Sequence, residues 1–150
     1  PKLIWLDSGI MNFSADIQAD YLQNTSLIDI WKGHAAEQIT GQELRVVLDR
    51  NFRNEQYYWV RDKRGASAEI DFVWQHQSKI VPIEVKSGTN AHLRSLHSFM
   101  SLPDAADIAV RVWPGEFSVN ELASPNGHNF RLVNLPFYYV GLIDKVLQRL

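Results

Sequence analysis

Glu69-Ile70-Asp71-Phe72-Val73-Trp74-Gln75-His76-Gln77-Ser78-Lys79-Ile80-Val81-Pro82-Ile83-Glu84-Val85-Lys86 is the stretch whose pattern decides the fold. Ala68 to Gln75 alternates, with Ile70, Phe72 and Trp74 pointing one way and Glu69, Asp71 and Val73 the other. Lys79 to Lys86 is a second such run, with Val81, Ile83 and Val85 on one face. His76-Gln77-Ser78 leaves room only for a tight connection, so the two runs are expected to pair as a hairpin. Centring that hairpin between Gln77 and Ser78 sets Asp71 opposite Glu84 and Glu69 opposite Lys86. Period-2 geometry then puts these four on one face and Ile70, Phe72, Trp74, Ile83 and Val85 on the other.

Two directly opposed carboxylates repel, so a cation is expected between Asp71 and Glu84. Lys86 is one candidate. A divalent cation held by Asp71, Glu84 and a backbone carbonyl at Val85 is the other, and all-oxygen ligands suit Mg²⁺ or Mn²⁺. Such a metal lowers the pKa of bound water, and a neighbouring Lys can orient that water. The competing reading is a ladder of salt bridges on a solvated face, the usual meaning of so short a pattern. Apolar flanks, including Ile80 and Pro82, and a loop at Ser87-Gly88-Thr89-Asn90 beside the cluster weigh toward a site.

Upstream, Tyr57-Tyr58-Trp59-Val60-Arg61 is aromatic and β-branched and reads as a further strand. Before it, Ala36, Ile39, Leu44, Val47 and Leu48 recur at helical spacing from Trp31 to about Asn51. Gly33 and Gly41 weaken that helix, which suggests close packing there. Residues 10–30 read as a weakly specified helical lead-in, and Leu3-Ile4-Trp5-Leu6 as a short buried strand. Downstream, a helix is expected from Ala91 to Leu102, then a strand from Ile108 to Trp113. Residues 116–129 read as loop, Phe130 to Val133 as a short strand, and Tyr139 to Leu150 as an amphipathic helix. Tight connections make the first three strands an antiparallel meander, and the helix after them permits a parallel crossover. The expected architecture is α/β: a mixed central sheet, meander plus crossover strand, flanked by helices.

The chain has 150 residues, enough for one core of ordinary size, and 45% of them are hydrophobic, which excludes a disordered chain. It has no cysteine, which excludes disulfides, thiolate metal sites and a cysteine nucleophile. No apolar run approaches the roughly 18 residues of a membrane span, so no membrane contact is expected. A net charge of −2 argues against a strongly basic, free-standing nucleic-acid binder. That argument is weak, because three carboxylates and one ammonium of a single site could account for it.

Asp71, twelve intervening residues, then Glu84-Val85-Lys86 resembles the D…(D/E)-x-K motif of the PD-(D/E)XK nuclease superfamily. More narrowly, Pro1 to Gly9, Gly33-His34-Ala35-Ala36-Glu37, Tyr58-Trp59-Val60-Arg61, Glu69-Ile70-Asp71-Phe72-Val73 and Ile83-Glu84-Val85-Lys86-Ser87-Gly88 resemble the DUF4143 family. That resemblance implies a restriction-endonuclease-like core over residues 31–150, with residues 1–30 as lead-in. It implies Asp71 and Glu84 as metal ligands, Lys86 as the catalytic lysine and Glu37 as the acidic residue from the first core helix. Ile70 stands where the motif's proline would be. The family's domain follows a AAA-type ATPase domain. An upstream ATPase domain is therefore expected before Pro1, and ATP would bind only there, since this chain has no P-loop. The function implied is metal-dependent phosphodiester hydrolysis. The alternative is an inactive nuclease-fold module serving the ATPase. DNA or RNA, the ATPase domain and a second copy of the chain are the candidate partners, and the cytoplasm the expected location.

Other signals are weaker. The five histidines are scattered without metal-ligand spacing, although His92 and Ser87 lie near the site in sequence. Arg61, Lys63 and Arg64, and Arg45, Arg50 and Arg53, form basic clusters that are read first as solvated surface.

Overall fold

The computed structural model describes residues 2–14, 25–50, 55–63, 66–88 and 92–150, with side chains of 25–31, Lys63 and Ala66 left aside. The elements in chain order are α1 (Ser8–Ser14), α2 (Thr25–Arg50), β1 (Tyr57–Lys63), β2 (Ala66–His76), β3 (Lys79–Val85), α3 (Arg94–Met100), β4 (Ile108–Trp113), β5 (Ser118–Ala123) and β6 (Asn129–Pro136). A 3-10 helix (Phe137–Leu142) and a short α4 (Ile143–Leu147) close the chain.

Among the described residues six strands form one mixed sheet in the order β1-β2-β3-β4-β6-β5. The meander is antiparallel, β3, β4 and β6 run parallel, and β5 returns antiparallel on the edge. The β2–β3 register is the expected one, from His76↔Lys79 to Phe72↔Ile83. Gln77 takes the turn at φ 53, the left-handed conformation a two-residue hairpin loop demands.

Alternation sorts the core into two clusters. Val81, Ile83 and Val85 of β3, Val110 and Val112 of β4, and Val133 and Leu135 of β6 pack with Ala36, Leu44, Val47 and Leu48 of α2. Ala109 of β4 and Phe130 and Leu132 of β6, of the opposite parity, pack with Leu96, Phe99 and Met100 of α3. The sheet is thus covered by α2 and the C-terminal helices on one face and by α3 on the other.

Strand β2 breaks this rule. Phe72 and Trp74 belong to the α2 cluster, whereas Ile70 is fully buried in the α3 cluster, with Val73 packed against it. The expectation that Ile70, Phe72 and Trp74 share a face is therefore corrected. The cause is an extra residue: Tyr57 pairs with Val73 but Trp59 with Ile70, so three steps along β2 oppose two along β1. Such a bulge reverses the facing of what precedes it.

Four other expectations are also corrected. Leu3-Ile4-Trp5-Leu6 is not a strand: Leu3 is 70% and Leu6 87% exposed, and Gln38 and Gln42 of α2 hold its backbone instead. The stretch 116–129 contains β5, a partly exposed edge strand with too little alternation to see. The last helix is split into 3-10 and α segments by a change of winding at Leu142. The helix expected from Ala91 spans only Arg94–Met100. Part of the lead-in, residues 15–24, lies outside the described residues.

Candidate functional site

The bulge decides where the carboxylates go. It lies where Asp71 sits, and there the regular β2–β3 ladder has already ended at Phe72↔Ile83. Beyond that point Val85 N–H donates to Asp71 Oδ2 at 2.8 Å, so a side chain stands in for a strand neighbour. The other oxygen, Oδ1, accepts from the Lys2 ammonium at 2.8 Å. Lys2 also pairs with Glu37 Oε2 of α2 at 3.2 Å and with Glu69 Oε1 of β2 at 3.0 Å.

The cation expected at this cluster is therefore Lys2, delivered by the segment that Gln38 and Gln42 tether along α2. The cation lies 5.8 Å from the centroid of the Phe72 ring, which places it on the α2 face. Burial pulls the Lys2 pKa down, but the hydrogen bond and charge of Asp71, then Glu69 and Glu37, outweigh that and hold it above its ordinary range. Sequence reasoning missed Lys2, because an N-terminal lysine beyond the hairpin carries no pattern that ties it to Asp71.

Glu84 and Lys86 form a second nest. Lys86 Nζ lies 2.6 Å from Glu84 Oε1. Glu84 alternates with Ile83 and Val85, so its side chain belongs to the α3 face, not to that of Glu69 and Asp71. The expectation that all four charged residues share one face fails for that reason. Glu84 is only 4% exposed, and its Oε2 has no hydrogen-bond partner among the described residues. Burial raises its pKa, and the Asp71 charge adds to this, while Lys86 opposes it. Asp71, lodged in the gap between the strands, is thus the element common to both nests. Val85 itself is buried, with its N–H committed to Asp71.

The second nest continues across the sheet. In register, Glu84 stands beside Arg111 of β4, Arg111 beside Asn134 of β6, and Asn134 beside Ser118 of β5. Asn134 donates to Ser118 Oγ at 2.9 Å and to Asn120 Oδ1 at 2.6 Å. The guanidinium of Arg111 lies 4.3 Å over the Trp113 ring. Burial lowers its pKa. The sequence signal for this row was a charged and an amide residue inside otherwise apolar runs, Ile108–Trp113 and Leu132–Leu135. Ser87 and His92, in contrast, are exposed.

The donor set is chemically suited to Mg²⁺ or Mn²⁺, since it is all oxygen and the buried Glu84 Oε2 is an acceptor without a donor among the described residues. Among the described residues no three ligating side chains are gathered closely enough to hold a metal by themselves. Mg²⁺ commonly uses one or two carboxylates plus waters and substrate phosphates, so Asp71, if released by Lys2, and Glu84 would be a sufficient protein contribution. Among the described residues no helix is long and apolar enough to cross a membrane.

Residues 32–138 match the model of a family described as a domain of unknown function, DUF4143. No curated protein and no solved structure matches the chain.

Proposed function

We propose for this chain, which belongs to the DUF4143 family, a restriction-endonuclease-like core with a site for metal-dependent hydrolysis of phosphodiesters in DNA or RNA. The observation that carries this reading is the position of Asp71. One oxygen is fixed by the Val85 N–H and the other holds a cation, one strand from a buried Glu84 whose Oε2 lacks a donor among the described residues. Asp71, Glu84 and the Val85 carbonyl would hold Mg²⁺ or Mn²⁺. When bound, that ion would acidify a water and neutralise charge on the departing oxygen. Lys86, held beside Glu84, would orient the attacking water through its ammonium. Glu37 completes the acidic set from α2.

Lys2 favours a second reading. Its ammonium already satisfies Glu37, Glu69 and Asp71. A site so neutralised suits a non-catalytic nuclease-fold module that serves an ATPase domain of the same polypeptide.

The two readings separate on Mn²⁺ titration and on cleavage of single- and double-stranded DNA and RNA. The assay compares wild type with Lys2→Ala, Asp71→Ala and Lys86→Ala. The nuclease reading expects Mn²⁺-dependent cleavage that Lys2→Ala increases and that Asp71→Ala and Lys86→Ala abolish. Equal cleavage by all variants rejects the residue assignment. Neither Mn²⁺ binding nor cleavage in Lys2→Ala selects the module.

A further inference from the structure

The row Glu84–Arg111–Asn134 is polar at the place where a sheet interior is normally apolar. Three buried polar atoms in it have no partner among the described residues: Glu84 Oε2, Arg111 Nε and Asn134 Oδ1. Asn134 is only 2% exposed. An unmet buried polar atom is destabilising, and three in one row call for an explanation. Arg111 makes no ion pair with any described residue. Glu84, its register neighbour, gives its Oε1 to Lys86 instead. The guanidinium thus lies over the Trp113 ring, with no counter-charge bonded to it among the described residues. The row crosses β3, β4 and β6 close to their carboxyl ends, where open α/β sheets place their ligands.

We infer that Arg111 is a phosphate-binding residue, its guanidinium pre-positioned by Trp113 to take a phosphodiester of nucleic acid beside Glu84 and Lys86. The planar fork of arginine matches a phosphate oxyanion, and stacking on an indole fixes its orientation. The location rests on the nuclease reading of Glu84 and Lys86. Binding through Arg111 does not require that the site cleave.

The test is fluorescence anisotropy with a labelled DNA duplex in Ca²⁺, over a range of salt concentrations. Arg111→Gln is expected to weaken binding about tenfold at low salt and to reduce the salt slope by about one unit. Arg111→Lys, which keeps the charge but not the fork, should keep the slope and lose part of the affinity. Asn134→Asp places a carboxylate next to Arg111, at the cost of the hydrogen bonds Asn134 donates to Ser118 and Asn120, and should weaken binding. Each variant is compared where its circular dichroism matches wild type, and Arg111→Lys guards against an Arg111→Gln protein that fails to fold. Unchanged affinity and slope in Arg111→Gln and Asn134→Asp, or no binding by wild type, overturns the inference. Cleavage is read separately in Mn²⁺: binding that depends on Arg111 without cleavage by wild type sinks the nuclease reading and leaves this one standing.

Discussion

On the α2 side of the β2–β3 gap one ammonium, Lys2, faces three carboxylates, Glu37, Glu69 and Asp71. On the α3 side Glu84 is matched by Lys86, while Arg111, next to it in register, makes no ion pair with any described residue. The first nest has carboxylate to spare and the second has cation to spare, and the Asp71 side chain bridges the two strands of the gap. This imbalance supports the proposed site, in which a metal at the gap between Asp71 and Glu84 and a phosphate at Arg111 would each meet an opposite charge.

The sharpest way to break the comparison is to remove its shared member. Asp71→Ala deletes both the Lys2 ion pair and the acceptor for the buried Val85 N–H, and should cost about 3 kcal/mol in urea denaturation. Asp71→Asn keeps an acceptor for Val85 and should lose roughly half of that. Equal losses would mean that the Lys2 contact, not the closure of the strand gap, dominates.

Lys2→Ala acts on the α2 nest alone. The carboxylates it leaves are partly exposed, so the expected cost is about 1–2 kcal/mol at neutral pH. The folded-state pKa of Lys2 lies above its unfolded value, so its contribution is complete below the unfolded pKa and is lost only in strong alkali. The loss caused by the mutation should therefore be the same at pH 7 and pH 9, both below the unfolded value, and denaturation midpoints at those two pH values check this.

Glu84→Gln acts on the other nest with the opposite sign. The folded-state pKa of Glu84 is raised above the ordinary carboxylate value, so the folded form binds the proton more tightly than the unfolded one. Wild-type stability therefore falls as pH rises through the window between the two values. The variant should be the more stable protein at pH 7, and that advantage should vanish at pH 4 and below. An advantage independent of pH would show that packing, and not ionisation, sets the difference.

These two nests differ in how far the sequence discloses them. Glu84 and Lys86 sit in a strand of strict alternation with a two-residue turn before it, so their register and shared face follow from residue order alone. The meander, the crossover and α2 were legible for the same reason: periodicity and turn chemistry are local. The α2 nest was not, because it depends on a bulge at Asp71 that β1 imposes through its pairing, and on Lys2, 69 positions away. Leu3-Ile4-Trp5-Leu6 misled because its apolar residues suggest a strand, while its backbone groups are in fact taken by Gln38 and Gln42. Edge strand β5 was hidden because partial exposure removes the alternation by which a strand is recognised.

The smallest effect expected comes from the glycines of α2, and it bears on how firmly Lys2 is held. A Cβ at Gly41 would lie 2.9 Å from Ile4 Cδ1 and 3.2 Å from Phe72 Cζ. A Cβ at Gly33 meets nothing within 4 Å. Gly33→Ala should therefore gain the helix propensity difference, about 1 kcal/mol. In Gly41→Ala the same gain is offset by pushing Ile4, two residues from Lys2, off the helix, leaving a net change within about 0.5 kcal/mol. The informative readout is then not stability but the cluster itself. If the segment carrying Lys2 is displaced, Mn²⁺ affinity should rise in Gly41→Ala and stay at the wild-type value in Gly33→Ala. Binding of duplex DNA in Ca²⁺, which depends on the opposite nest, should be the same in both. A change in DNA affinity without a change in Mn²⁺ affinity would reverse the division of labour drawn between the two sides of the gap.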